Sequence, residues 1–155
     1  MNVDLYERIW MWLASALIVI FVATIAVTTG VEAIQPPSHL ETIDPEAIDA
    51  NPEFGNPKVT IQNDGSAVVS VVGAMFSFTP DPIEIPAGKP ITFRVTSRDV
   101  IHGFEIIGTN ANTMVVPGYV SQFTVTFETP GTYHIACNEY CGIGHHMMVG
   151  TLTVK

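Results

Sequence analysis

The stretch "SQFTVTFE", residues 121–128, places Phe123, Val125 and Phe127 on one side and Thr124 and Thr126 on the other. Apolar and polar residues alternating with period two mark a half-buried strand. "GTLTVK" at 150–155 repeats the alternation, and strands are predicted at 58–62, 67–78, 90–96, 103–107, 132–136 and 151–154. Turn chemistry separates them at Asn63-Asp64-Gly65, Pro80-Asp81-Pro82, Pro86-Ala87-Gly88, Pro117-Gly118 and Pro130-Gly131. Many short strands at this spacing predict an antiparallel sandwich or barrel over residues 58–155. The chain shows no internal repeat, phosphate-binding loop, G-x-S-x-G or dinucleotide fingerprint.

Ahead of the β pattern lie two segments of different character. Residues 9–31, "IWMWLASALIVIFVATIAVTTGV", carry no charge, which is enough for one helix to cross a bilayer. Trp10 and Trp12 suit an interfacial anchor. "MNVDLYER" lacks the basic start of a cleaved signal peptide, so the helix is expected to stay as an anchor within residues 1–35. Arg8 places the N-terminus in the cytoplasm and the rest outside. Residues 36–57, "PPSHLETIDPEAIDANPEFGNP", have no period and read as an acidic, Pro-rich linker.

The formal net charge of −9 argues against nucleic acid as a partner. It is unevenly spread, with −4 over residues 36–60 and −3 over 61–155. The β region is therefore only mildly acidic.

Between the last two predicted strands runs "CNEYCGIGHHMM", residues 137–148, with both cysteines of the chain, two of its five histidines and two of its six methionines. A connection that long in a compact domain usually has a function. The spacing is Cys137-x₃-Cys141-x₃-His145-x₂-Met148, and His102 stands upstream in "SRDVIHGFEI". Three readings compete. A disulfide would close a small loop for little stabilisation and leave the histidines and Met148 without a role. Zinc would accept the Cys₂His₂ set but has no use for a thioether. Copper uses all the ligand types, and the surplus cysteine over a mononuclear blue site suits two copper ions sharing two thiolates.

"VIHGF", "FTPDPIEIPAG" and "PGTYHIACNEYCGIGH" resemble subunit II of cytochrome c oxidase, most of all the short, single-helix ba3-type branch. The resemblance spans nearly the whole chain. Nitrous oxide reductase shares the ligand spacing but needs a far longer chain for its catalytic propeller.

The resemblance implies an all-β cupredoxin-like domain on one transmembrane helix, in the cell membrane of a prokaryote, with that domain on the outer side. It implies a dinuclear copper centre, CuA, with Cys137 and Cys141 as bridging thiolates and His102 and His145 as imidazole ligands. Met148 would supply the thioether and Glu139 its backbone carbonyl. In many relatives the side chain at the position of Glu139 also reaches a magnesium ion at the subunit I interface. The implied function is electron entry: CuA takes electrons from a cytochrome c or a small copper protein and passes them to haem in subunit I, where oxygen is reduced. The implied partners are subunit I, with or without a small extra subunit, and the membrane.

By the same resemblance Glu7 stands at the mouth of a proton path in subunit I, although an ordinary juxtamembrane charge would look alike. Phe76 is read either as a core aromatic beside Phe78 or as a residue shaping electron entry near the copper. His146 and Met147 fall outside the ligand spacing, and His39 and His134 read as linker and strand histidines. The rival functions are a membrane-tethered domain with a structural zinc and a copper-delivery protein; carriers of the second kind resemble thioredoxin, whose βαβ alternation this chain does not show.

Overall fold

The computed structural model describes residues 4–31 and 41–155, which fall into two compact units, Met1–Ser38 and His39–Lys155. The first holds α1 (Leu5–Val31), of which Leu5–Thr28 is apolar enough to cross a membrane. At about 1.5 Å per residue, those 24 residues span about 36 Å, more than a hydrocarbon core of roughly 30 Å. Its large apolar side chains are exposed from Leu5 to Val27, Trp10 and Trp12 among them. Such a surface has its counterpart in lipid rather than water.

The second unit is a β-sandwich. Its first sheet runs β1 (Glu41–Thr42), β9 (Tyr119–Thr126), β6 (Pro90–Ser97), β3 (Ala67–Ala74), with β2 (Val59–Ile61) and β4 (Ser77–Thr79) sharing the far edge of β3. The second runs β5 (Ile83–Ile85), β11 (Val149–Val154), β10 (Gly131–Ala136), β7 (His102–Ile106), β8 (Asn112–Val115). Inward residues from both sheets form one core, centred on Phe78, Phe93 and Phe104. Phe104 meets Phe78 edge-on at 5.3 Å between ring centres, and Phe93 stacks on Phe123 at 5.2 Å. Each fully buried phenylalanine contributes on the order of 1.5–3 kcal/mol of hydrophobic stabilisation. The alternation of 121–128 is realised: Thr124 and Thr126 are exposed, Phe123 and Val125 are partly covered, and Phe127 is buried.

Three expectations are corrected. The sandwich is mixed, not antiparallel, because β3 pairs with β6 and β11 with β5 in parallel. Parallel neighbours need a long crossover. The chain makes it by leaving the first sheet after β4, adding β5 to the second, and returning to β6. The single strand predicted over 67–78 is two, β3 and β4, folded back on each other around Met75 and Phe76. β1, β5 and β8 lie outside the predicted strands altogether.

The third correction concerns the linker over 36–57. Its described part, from residue 41, packs on the first sheet. Glu41 and Thr42 pair with Val120 and Tyr119. A 3-10 turn at Pro45–Ala50 is capped by Asp44, whose carboxylate accepts from the Glu46 amide at 2.9 Å. Ile48 and Phe54 are buried against Val72 and Val120 in a second, smaller core. The segment's acids meet distant arginines. Arg94 donates to Glu53 at 2.7 Å, to Glu41 at 2.8 Å and to Gln122 at 2.7 Å, and Arg98 donates to Asp49 at 2.7 Å. Residues 41–55 are thus a strap belonging to the sandwich, whose start lies well before residue 58. Residues 36–40, with His39, lie outside the described residues.

Candidate metal centre

The ligand loop hangs between β10 and β11, which pair in full register from Gly131↔Val154 to Ala136↔Val149. One rung further, the Cys137 amide donates to the Met148 carbonyl at 3.1 Å, so the first and last candidate ligands of the loop start side by side. A 3-10 turn at His145–Met147 closes it. With three residues per turn, His145 and Met148 fall on the same side. Met148 is 1% exposed, whereas Met147 is 66% exposed and His146 points to solvent. The duplicated "HHMM" therefore has one inward histidine and one inward methionine.

Six groups named from the sequence converge here. The Cys137 and Cys141 sulfurs lie 3.9 Å apart, and both cysteines are free and buried. Nδ1 of His102 is 3.9 Å from Cys137 Sγ, and Nδ1 of His145 is 3.6 Å from Cys141 Sγ. Met148 Sδ is 3.7 Å from Cys141 Sγ. The Cys137 thiol donates to the Glu139 carbonyl at 3.1 Å, so that oxygen faces inward while the Glu139 side chain is exposed. His102, Cys137 and Cys141 offer ligand atoms within 4.8 Å of one another.

Burial, with Cys137 as immediate neighbour, pushes the Cys141 thiol up to about 11. A thiol held protonated in this way becomes a ligand when a cation compensates the negative charge of its thiolate. The donor set of two thiols, two imidazole nitrogens, one thioether and one carbonyl fits a soft, thiophilic metal.

Close packing forms the walls. An ideal Cβ on Gly103 would collide with Asn138 Oδ1 and lie 2.8 Å from the Asn138 backbone nitrogen, so only glycine lets the start of the loop lie over β7. A Cβ on Gly144 would run into the Phe76 ring. Phe76 is half-buried and packs over Gly142 and Gly144, whereas Phe78 belongs to the core. His134 is an exposed residue of β10, and Glu7 sits in the first turn of α1.

Sequence reasoning missed Asp99. Its Oδ1 lies 2.8 Å from His102 Nε2, which leaves Nδ1 for the metal side. Partial burial would raise the Asp99 carboxyl, but hydrogen bonds from the His102 ring and from the Met75 and Val100 amides outweigh it and hold it below its ordinary value. The signal was present as an acid three residues before the histidine in "SRDVIH".

The periplasmic-domain model of cytochrome c oxidase subunit II matches residues 69–154. The chain belongs to the cytochrome c oxidase subunit II family. It is 41% identical to a cytochrome c oxidase subunit 2 of Thermus thermophilus, over 97% of this chain and 92% of that one. A second Thermus thermophilus subunit 2 sequence is 42% identical over 82% of this chain and 96% of its own. Among solved structures, a chain of a heme-copper terminal oxidase dimer superposes with a TM-score of 0.80 at 32% identity, covering 97% of this chain and 99% of its own. The periplasmic domain of subunit II of the Bradyrhizobium japonicum oxidase superposes with a TM-score of 0.54 at 19% identity over 64% of this chain and 87% of its own, which shows the shared cupredoxin-like fold. As a subunit II chain, this is a membrane-anchored component of a haem-copper oxidase with an outer β domain, and its His/Cys/Cys cluster is compatible with copper.

Proposed function

We propose that this chain is the electron-entry subunit of its oxidase, with a dinuclear CuA centre held by Cys137, Cys141, His102, His145, Met148 and the Glu139 carbonyl. One observation carries the reading: the two thiols stand side by side and each has its own imidazole, His102 at Cys137 and His145 at Cys141. That is the ligand supply of two metal ions sharing two sulfurs. When bound, the centre supplies reversible one-electron transfer with little change of geometry.

The chain's own residues do the rest. Asp99 orients the His102 ring, and the β10–β11 hairpin fixes both ends of the loop. Met148 offers a weak, buried thioether that tunes potential more than it retains metal. Phe76 covers Gly142 and Gly144 and is the candidate for the electron-entry contact. The donor is a cytochrome c or a small copper protein, and the acceptor is haem in subunit I. Glu139, with its exposed side chain, is the candidate magnesium contact at that interface. Glu7, in the first turn of α1, is the candidate for the proton-path mouth. The orientation proposed is N-terminus in the cytoplasm, single pass through the cell membrane, β domain outside.

The deciding experiment is metal analysis with optical and electron paramagnetic resonance spectra of the full chain in detergent. Two coppers per chain, a purple colour and a signal spread over both nuclei are expected. One tightly held zinc and no colour would overturn the proposal.

A further inference from the structure

We infer that Asp99 is a positioning residue that ties the ligand His102 to the Met75–Phe76 turn through a single carboxylate. The inference rests on His102 being a copper ligand, as proposed above. Asp99 Oδ1 accepts from His102 Nε2 at 2.8 Å and from the Val100 amide at 2.7 Å, and Oδ2 accepts from the Met75 amide at 2.7 Å. His102 is fully buried, so its ring has no water to turn toward. The Met75–Phe76 turn is the hairpin between β3 and β4, and its aromatic ring lies over Gly142 and Gly144 of the ligand loop. The same carboxylate therefore sets the ring that faces Cys137 and the turn that roofs the loop carrying Cys141 and His145.

The geometry demands a carboxylate. Both groups approaching Asp99 from outside its own turn are N–H donors once His102 Nδ1 is left free for the metal. A carboxylate accepts at both oxygens. An amide accepts at one and presents N–H at the other, where it would meet a second donor. Asp99→Asn must therefore give up either the His102 contact or the Met75 contact, although its shape is unchanged. Loss of negative charge beside the metal also disfavours the oxidised, more positive state, so the reduction potential rises.

The test uses the full chain in detergent, first without metal and then loaded with copper. In the metal-free chain, nuclear magnetic resonance reads the proton position on the His102 ring and the hydrogen-exchange rate of the Met75 amide. Asp99→Ala, which removes both acceptor oxygens, is expected to disturb both, with Met75 exchanging about tenfold faster, as for one lost hydrogen bond of about 1.4 kcal/mol. Asp99→Asn, which keeps one acceptor, is expected to disturb one of them. With copper bound, it should keep two metal ions and show a raised potential. If Asp99→Ala changes neither or only one of ring and amide, or if Asp99→Asn changes neither, the carboxylate is no bridge and the inference is wrong. An unchanged potential likewise overturns it. Should Asp99→Asn fold poorly, Asp99→Ser, which removes the second acceptor oxygen, is read in the same way. A parent chain that takes zinc and no copper would defeat the copper reading, and the two metal-free readouts would still decide whether Asp99 holds both groups.

Discussion

Met148 Sδ lies 3.7 Å from Cys141 Sγ, on a side chain that is 1% exposed, while the neighbouring Met147 is 66% exposed. Met148→Leu should keep both coppers, because thiolates and imidazoles hold them, but shift the reduction potential and unbalance the two copper sites. Met147→Leu should leave potential and spectrum unchanged. Voltammetry and electron paramagnetic resonance on the paired variants check this, and a shift in Met147→Leu alone would reverse the assignment.

Gly103→Ala should damage the site from outside the ligand set. The new methyl would meet Asn138, including its backbone nitrogen at 2.8 Å, immediately after Cys137. Overpacking of this kind costs about 1–3 kcal/mol. The expected result is a lower melting temperature together with weaker copper retention under a chelator, measured by metal content after dialysis.

The strap should loosen in acid. Partial burial would raise the Glu53 carboxyl, yet hydrogen bonds from Arg94 and Ser70 outweigh it and hold it below its ordinary value of 4.5. A carboxyl lowered by folding contributes stability that is complete above 4.5 and is lost as pH falls through the lowered folded value. Proteolysis within residues 41–55 should therefore accelerate below that pH. Arg94→Ala should open the strap at neutral pH, at a cost of about 1–3 kcal/mol, and reduce the acid dependence owed to Glu53.

Electron delivery should depend only weakly on salt. Tyr140, Ile143 and Met147 on the ligand loop, with Val100 and Ile101 beside His102, expose apolar side chains. The strap acids Glu41, Glu53 and Asp49 are already paired with arginines. Stopped-flow rates with a basic cytochrome c should fall by less than about threefold from low to high salt. A steep fall would show that long-range charge governs the encounter.

The candidate metal site was readable because its proposed ligands are chemically distinctive and four of the side chains sit in one loop, Cys137 to Met148. Strand faces were readable where one side of a strand meets water, as at Thr124 and Thr126. Alternation reports a face and never a neighbour, so the parallel partners of β3 and β11 could not be foreseen. β5 escaped notice because "IEI" is only three residues between prolines. The strap was misread because its two anchors, Ile48 and Phe54, lie among acids whose partners are 41 to 53 residues away in sequence. Asp99 was passed over for a different reason: a lone acid before a histidine acquires meaning only when the ring is seen to be buried.

The placing of β11 between β10 and β5 bears on how the protein is made. Every proposed copper ligand precedes that strand in the chain, yet the loop that carries most of them is pinned only after Val149–Val154 has been inserted into the middle of a sheet. During synthesis the two thiols therefore emerge before the scaffold that spaces them exists, and meanwhile they are ordinary exposed cysteines. On the proposed function, metal loading follows folding of the complete domain, and until then the nascent chain depends on its surroundings to keep Cys137 and Cys141 reduced.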